Sequence, residues 1–350
     1  MRRNRKIPSR SPTEYQKAIK VYADYQIDWA RVIPTLRKCE LDKVSFLSVM
    51  GDAPKDFTTD SEHHPGHRSR RERKESFIAK VGSKFYPNES ITEQLITRLG
   101  QTYGLKIADS KLRLIAGQVR FMSKYFLRRH SEQLTHGAEI FESCLGKDEY
   151  KEIAEKKIER EYFSFQMTCE AIREAFPEYE IKIVRGLVEM LAFDALIGHN
   201  DRHPYNWGVI VPLRKEQPPR FSPVYDTARA LFWNKDEVYV SRVLTDKRPL
   251  LEGYVKKCNP PFGWDGETKV DFFRLIGLIW NYFERYQSNI EKFLAIEPLE
   301  KSILTLDKEF SLLMSGERRE LIKRCLRLRQ RLLCEAVAEF KERSNSSHAD

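Results

Sequence analysis

The chain has 350 residues, 41% apolar and 11% aromatic, enough for a sizeable core or for two lobes around one cleft. Its formal net charge is +10, but the cations are spread out, and the densest run, His67 to Lys74, has no interleaved aromatics and reads as a solvated loop. No apolar run is long enough to cross a bilayer, and the basic start MRRNRKIPSRSP lacks the apolar core of a secretory signal, so a soluble, cytoplasmic protein with a basic tail is expected.

Residues 13 to 37 carry Tyr15, Ile19, Tyr22, Tyr25 and Trp29 at helical spacing and predict a helix. KVSFLSVM, 43 to 50, predicts a strand that ends at Gly51, and the polar stretch from Asp52 to Glu75 predicts a long loop. SFIAKVG, 76 to 82, reads as a short strand carrying Lys80. Ile91, Leu95 and Leu99 form one stripe of a helix over 91 to 105. KLRLIAGQVRFMSKYF then reads as a hairpin turning at Ala116-Gly117.

Beyond about residue 130 helical periodicity dominates. Tyr150, Ile153, Ile158, Tyr162 and Phe165 are expected on one long helix, and Val184, Leu187, Val188 and Leu191 on the next. WGVIVP (207 to 212) and the segment before Asp226 are expected to be short strands. DFFRLIGLIWNYFERY and ELIKRCLRLRQRLLCEAVAEF predict two more amphipathic helices, and the polar end ERSNSSHAD a disordered tail. The six cysteines (39, 144, 169, 258, 325 and 334) form no C-x-x-C pair and read as reduced, mostly buried thiols.

The informative segment is GHNDRHPYNW, 198 to 207, which follows the apolar run LVEMLAFDALI. Polar groups set beside a core are costly unless paired or employed. A metal site, a catalytic loop and a helix-capping turn are the three readings. His199 and His203 have the spacing of a zinc-protease helix, yet Asn200 stands where that motif needs glutamate, and Pro204 argues against a continuing helix. Phosphoryl transfer needs a carboxylate at the acceptor hydroxyl, an amide and a second carboxylate for magnesium, and a lysine at the phosphates. Asp201 precedes Asn206 by five residues, Asp226 follows in the loop FSPVYDTARAL, Lys80 sits on a strand and Glu93 on the next helix. Each alone is ordinary: a solvated lysine, a glutamate on a polar face, a capping aspartate. Their joint occurrence in this order points to a phosphotransferase.

DALIGHNDRHPYNWG, 194 to 208, resembles the catalytic loop of HipA-like serine/threonine kinases, which include toxins of bacterial toxin–antitoxin modules. Ser222 to Asp226 (SPVYD) is similar to that family's magnesium-binding segment, Glu93 to Leu105 to its first-lobe helix, Phe77 to Lys80 to its ATP-lysine strand, and Ser48 to Lys55 (SVMGDAPK) to its phosphate loop. The phosphate loop departs from the pattern at Asp52-Ala53-Pro54, and the chain has little room in front for the extra N-terminal subdomain of full-length HipA, as expected of a compact member.

The resemblance implies an α+β, two-lobed protein-kinase-like fold: a tail and helix at 1–40, a strand-rich lobe at 41–130, a helical lobe at 131–343 and a tail at 344–350. It implies ATP and Mg²⁺ as cofactors and a protein such as an aminoacyl-tRNA synthetase as substrate, with an antitoxin as a further partner. Asp201 is then the base, Asn206 and Asp226 hold Mg²⁺, Lys80 meets the phosphates and Glu93 orients it. Ser48, Gly51 and Lys55 belong to the phosphate loop, with Ser48 an autophosphorylation site. Met122, Ser123 and Tyr125 belong to a hinge facing adenine. Arg202 is expected either to neutralise a phosphate or to form a structural salt bridge, His203 to brace the loop, and Trp207 to lie in the core. A phosphoinositide-type lipid kinase, a pseudokinase keeping only the fold and a basic nucleic-acid binder are the competing readings. The lipid kinases share D-R-H-x-x-N but follow it with D-F-G or a near relative, where this chain has Y-D-T.

Overall fold

The computed structural model describes residues 28–36, 55–60, 75–80, 82, 85–128, 131–156, 158–214, 217–246, 249–267 and 269–346. The first described helix, α1 (Trp29–Val32), is one turn long. Pro34 disfavours helical backbone at the residue before it, and Ile33 is extended at φ −116°, ψ 127°. The helix expected to reach residue 37 therefore gives way to a strand, β1 (Thr35–Leu36). Its predicted earlier part, the strand at 43–50 and most of the 52–75 loop lie outside the described residues.

Within that expected loop stands a strand, β2 (Lys55–Asp60), antiparallel to β3 (Glu75–Lys80). KDFTTD lacks the alternation that marks a half-buried strand, and β2 is an edge strand, where polar residues are tolerated. After β3 come helix α2 (Asn88–Thr102) and the hairpin β4 (Ser110–Ile115) and β5 (Gln118–Lys124). The hairpin turns where predicted: Ala116 and Gly117 both have positive φ, 51° and 77°, as a two-residue turn requires when it follows the sheet's twist. The sheet order is β1-β4-β5-β3-β2. Because side chains alternate along a strand, one face buries Leu36, Phe77, Ala79, Ile115 and Met122 in a small core. The other turns Leu112, Leu114, Val119 and Phe121 onto Ile91, Leu95 and Leu99 of α2.

The second lobe begins with a strand the periodicity did not predict, β6 (Glu132–His136), which pairs with β7 (Gly208–Pro212), itself paired with β8 (Arg220–Phe221). Helix α3 (Gly137–Leu145) leads to α4 (Lys147–Lys156), α5 (Glu159–Tyr162) and α6 (Phe165–Ala175). The single long helix expected over 150 to 165 is thus three pieces. Phe163 is extended, Ser164 caps α6 by accepting from the Met167 amide at 2.9 Å, and Ser164 bridges to Gly263. Tyr150, Ile153, Ile158 and Phe165 of the expected stripe still pack on one core across the breaks, which is why spacing alone joined them, but Tyr162 is exposed.

Helix α7 (Glu180–Ile197) runs through the centre of the lobe, with every side chain from Met190 to Ile197 buried. The Met, Leu, Phe and Ile side chains of that run contribute about 1.5–3 kcal/mol each on full burial. Around it stand α8 (Glu237–Thr245), α9 (Leu250–Lys256), α10 (Phe272–Tyr282), α11 (Gln287–Leu294), α12 (Ile296–Glu309) and α13 (Gly316–Ser346). The expected helix over 271 to 286 ends at Tyr282 and a 3₁₀ turn, Glu284–Tyr286, redirects the chain. The two lobes are stitched by main chain: the Ala108 amide donates to the Val224 carbonyl at 2.9 Å, and the Val224 amide to Lys106 at 2.7 Å.

Candidate active site

Helix α7 ends at Gly198, left-handed at φ 69°, where the amides of Gly198 and His199 both donate to the Asp194 carbonyl at 2.8 and 3.1 Å. A Cβ at Gly198 would come within 3.0 Å of the Arg329 guanidinium, so both the turn and the packing need glycine. The polar segment then projects from the end of a buried helix.

Its anchor is Arg202, 1% exposed. Nε and Nη2 donate to the two carboxylate oxygens of Asp194 at 2.8 and 2.9 Å, a bidentate pair. Nη1 donates to the Asn206 carbonyl at 2.8 Å and the Tyr225 carbonyl at 2.7 Å. Burial works against the guanidinium's charge, and Asp194 outweighs it. Of the two roles open to Arg202, the structural salt bridge is the one found: one side chain ties the catalytic-type loop to the segment that presents Asp226. His199 is fully buried, and burial first, then Arg202, lowers its pKa, so the imidazole is neutral. His203 is exposed, accepts from the Tyr205 amide at 3.3 Å through Nδ1, and caps the short 3₁₀ turn Pro204–Asn206. The two histidines therefore do not share a helix face. Among the described residues no group of three histidine, cysteine or acidic side chains could hold a metal by itself. Trp207 is 1% exposed and packs against Phe141, Phe221 and Phe262, a core residue as expected.

Across the cleft Lys80 lies at the end of β3, 12% exposed at its side chain. Its Nζ donates to Glu93 Oε1 of α2 at 2.7 Å and to Asp226 Oδ1 at 3.1 Å. Residues 13 and 146 positions apart in sequence thus meet on one ammonium. Burial opposes the lysine's charge, but Asp226 and Glu93 outweigh it and raise its pKa, keeping it charged. Asp226 itself has φ 55°, an uncommon region for a residue with a Cβ. Backbone strain of this kind gathers where a side chain must be aimed.

Asp201 is about a quarter exposed and receives Arg229 Nη1 at 3.0 Å. Burial raises its pKa; Arg229, His203 and Arg202 oppose the rise, and Asp226 adds to it. The Asn206 side-chain amide donates to the Asp201 carbonyl at 2.8 Å, which fixes the loop between them. For the remaining residues read from sequence, Ser48 and Gly51 lie outside the described residues. Lys55 stands opposite Lys80 in the β2–β3 register. Ser123 pairs with Ile78 and so shares the face of Lys80, whereas Met122 is fully buried in the small core on the other face. A hinge role for Met122 is therefore left to its main chain. The Tyr125 amide donates to Ser76 at 2.8 Å, closing the end of the sheet.

Sequence reasoning gave no role to Asp194 or Arg229. The first carried a signal, a single carboxylate within an otherwise apolar helix. Arg229 carried none, since its partner lies 28 residues away across two loops.

A strand-rich lobe and a helical lobe, with a lysine–glutamate pair on one side and an Asp-Arg-His-x-x-Asn loop on the other, constitute a protein-kinase-like fold. The chain belongs to the HipA-like C-terminal domain family, whose profile matches residues 47–254. Among solved structures it is similar to the Helicobacter pylori proinflammatory kinase CtkA, with a TM-score of 0.69 at 17% identity, covering 89% of this chain and 99% of that one. It is also similar to HipA of Shewanella oneidensis MR-1, solved as a toxin–antitoxin complex with HipB and operator DNA, with a TM-score of 0.50 at 13% identity, covering 85% of this chain and 67% of that one. A search of curated proteins finds no match. No helix among the described residues is long and apolar enough to cross a membrane.

Proposed function

We propose that the chain is an ATP- and Mg²⁺-dependent protein serine/threonine kinase of HipA type. The observation that carries the reading is the ammonium of Lys80 held between Glu93 and Asp226 at 2.7 and 3.1 Å, facing the loop of Asp201 and Asn206. Asp201 takes the proton of the acceptor hydroxyl as its oxygen bonds to the γ-phosphorus and the bond to the ADP oxygen breaks. Lys80 neutralises phosphate oxygens, and Glu93 fixes where it stands. Asp226 and the side-chain oxygen of Asn206 would hold Mg²⁺. One carboxylate and one amide oxygen fit that ion, which keeps waters and takes its other donors from phosphates. Bound there, the ion supplies charge neutralisation of the phosphates. Arg202 keeps the two donor segments together without touching substrate.

The lobes divide near residue 130, as 41–130 and 131–343, with 1–40 ahead and 344–350 behind. Ser48, Gly51 and Lys55 form the phosphate loop, and Ser123 and Tyr125 lie at the adenine hinge with the main chain of Met122. Ser48 is an autophosphorylation site, because a phosphate there would compete with ATP for the same loop amides. The further roles, a cytoplasmic toxin checked by an antitoxin partner and acting on a protein such as an aminoacyl-tRNA synthetase, rest on the family alone. Against the lipid-kinase reading stands Y-D-T at 225–227, where those kinases carry D-F-G or a near relative.

The test is incubation of purified protein with labelled ATP, Mg²⁺ and cell extract, beside the Asp226→Ala variant. Label should enter protein serine or threonine only with Mg²⁺ and intact Asp226. Label in lipid, or Mg²⁺-ATP binding unchanged by Asp226→Ala in calorimetry, would overturn the assignment.

A further inference from the structure

Helix α2 carries Glu93 on its inner face, yet it does not belong to the strand-rich lobe alone. Five residues after Glu93, Arg98 reaches the last residue of α12 in the helical lobe: Nε donates to Glu309 Oε2 at 2.7 Å and Nη2 to Oε1 at 2.8 Å. This is the fork-on-fork geometry that fixes direction as well as distance. At the helix end Thr102 Oγ1 and Ser302 Oγ of α12 lie 2.6 Å apart, with Ser302 buried. Tyr103 stacks on Phe293 of α11, centroids 5.3 Å apart at 16°. Beside the ion pair opens a cavity of about 330 Å³ bordered by Val32, Ile33, Pro34, Leu112, Arg98 and Glu309. The ion pair stands at the edge of that space, between α2 and α12.

We propose, resting on the kinase reading above, that Glu309 is a positioning residue for phosphoryl transfer: through Arg98 it fixes α2, and so the place of Glu93 and Lys80. The helix that in a two-lobed kinase must be in place for the lysine–glutamate pair is here tied to the lobe that carries Asp201. Both partners are about 40% exposed at their side chains, so solvent screens the pair and its loss should leave the fold intact. What it sets is the angle of a rigid rod. A small rotation about the Thr102 end is enough to separate Glu93 from Lys80, whose bond is 2.7 Å.

The experiment reads Lys80 directly and needs no catalysis. Nucleotide-free protein is treated with an amine-acylating reagent, and modification of Lys80 is followed by mass spectrometry, with hydrogen exchange of the α2 amides alongside. Wild type is compared with Glu309→Gln, Glu309→Arg and the charge swap Arg98→Glu with Glu309→Arg. Glu309→Gln should speed Lys80 modification about two- to five-fold, the size expected of a half-exposed pair, with faster α2 exchange and an unchanged melting temperature. The swap should return the rate to within about twofold of wild type, and kcat/KM for ATP should follow the same order. Unchanged Lys80 modification in both single variants, or a swap that restores nothing, overturns the proposal. A wild-type protein that transfers no phosphate would instead overturn the proposed activity, and the modification rates would still decide the coupling.

Discussion

Removing the Asp194 carboxylate tests whether the catalytic-type loop is held from beneath. Arg202 is 1% exposed and makes four bonds: two to Asp194 and one each to the carbonyls of Asn206 and Tyr225. Asp194→Ala leaves a guanidinium buried against an apolar helix with only the two carbonyls. Breaking one partner of a buried pair costs about 3–5 kcal/mol. The surviving charge-assisted bonds keep the loss near the lower end, about 3 kcal/mol, which is still a large share of a typical 5–15 kcal/mol total. Urea unfolding followed by circular dichroism measures it. The informative comparison is Asp194→Leu with Arg202→Met. Two apolar side chains of similar bulk should recover most of the stability, because the desolvation of both ions disappears with them. The double variant should nonetheless lose activity, since the side chain that ties the Asn206 carbonyl to the Tyr225 carbonyl is then gone. A cost below about 1 kcal/mol for Asp194→Ala would mean that Arg202 finds water or another partner. The idea that this pair braces the loop would then fail.

Asp201→Asn should lower turnover about 10²–10⁴-fold while calorimetric ATP affinity and melting temperature stay near wild type; turnover within tenfold of wild type would make Asp201 structural. Lys80→Ala and Glu93→Ala should each impair transfer, and the double variant should lose less than the sum, because the two side chains act through one 2.7 Å contact. Strict additivity in kcat/KM would deny that coupling. Burial pushes the thiols of Cys169 and Cys325 up to about 12, so at pH 8 only about one in ten thousand is thiolate. Iodoacetamide should therefore modify the half-buried Cys144 and Cys334 before the buried Cys169, Cys258 and Cys325 in native protein, and a peptide map with Cys325 modified ahead of them would contradict the burial. Burial raises the Glu132 carboxyl, but the Arg128 amide at 2.9 Å and Arg220 at 2.7 Å outweigh that and hold it below its usual range. A folded-state pKa below the unfolded one gives stability that is present above about pH 4.5 and lost as pH falls beneath it. Glu132→Gln should flatten that part of the stability curve, and an unchanged acid limb would refute the linkage.

How much could be read in advance depended on whether the signal was local. The Ala116-Gly117 turn is dictated by two adjacent residues, and it was legible. Glu93 on a helix and Lys80 on a strand were legible as types, and their meeting followed only from the order of motifs. Local signals failed where long-range packing decided. β2 is a strand because β3 offers it an edge, not because KDFTTD prefers to be one. Glu132–His136 is a strand because β7, more than seventy residues on, pairs with it. The break before α6 depends on the bridge from Ser164 to Gly263. Arg229 beside Asp201 and Arg98 beside Glu309 are of the same kind, since a charged residue on a helix or loop looks alike whether it meets water or a partner.

Arg329 of α13 sits fully buried, donating to the carbonyls of Ala195 at 2.6 Å and Val255 at 3.3 Å. It thus props the last turn of α7 from a helix that begins only at Gly316. During synthesis the ribosome delivers the Asp201 loop more than a hundred residues before it delivers this prop. A nascent chain halted ahead of Gly316 would hold every motif residue and lack the support beneath them. The support beneath the site thus arrives long after the motif residues themselves, a delay written into the order of the sequence.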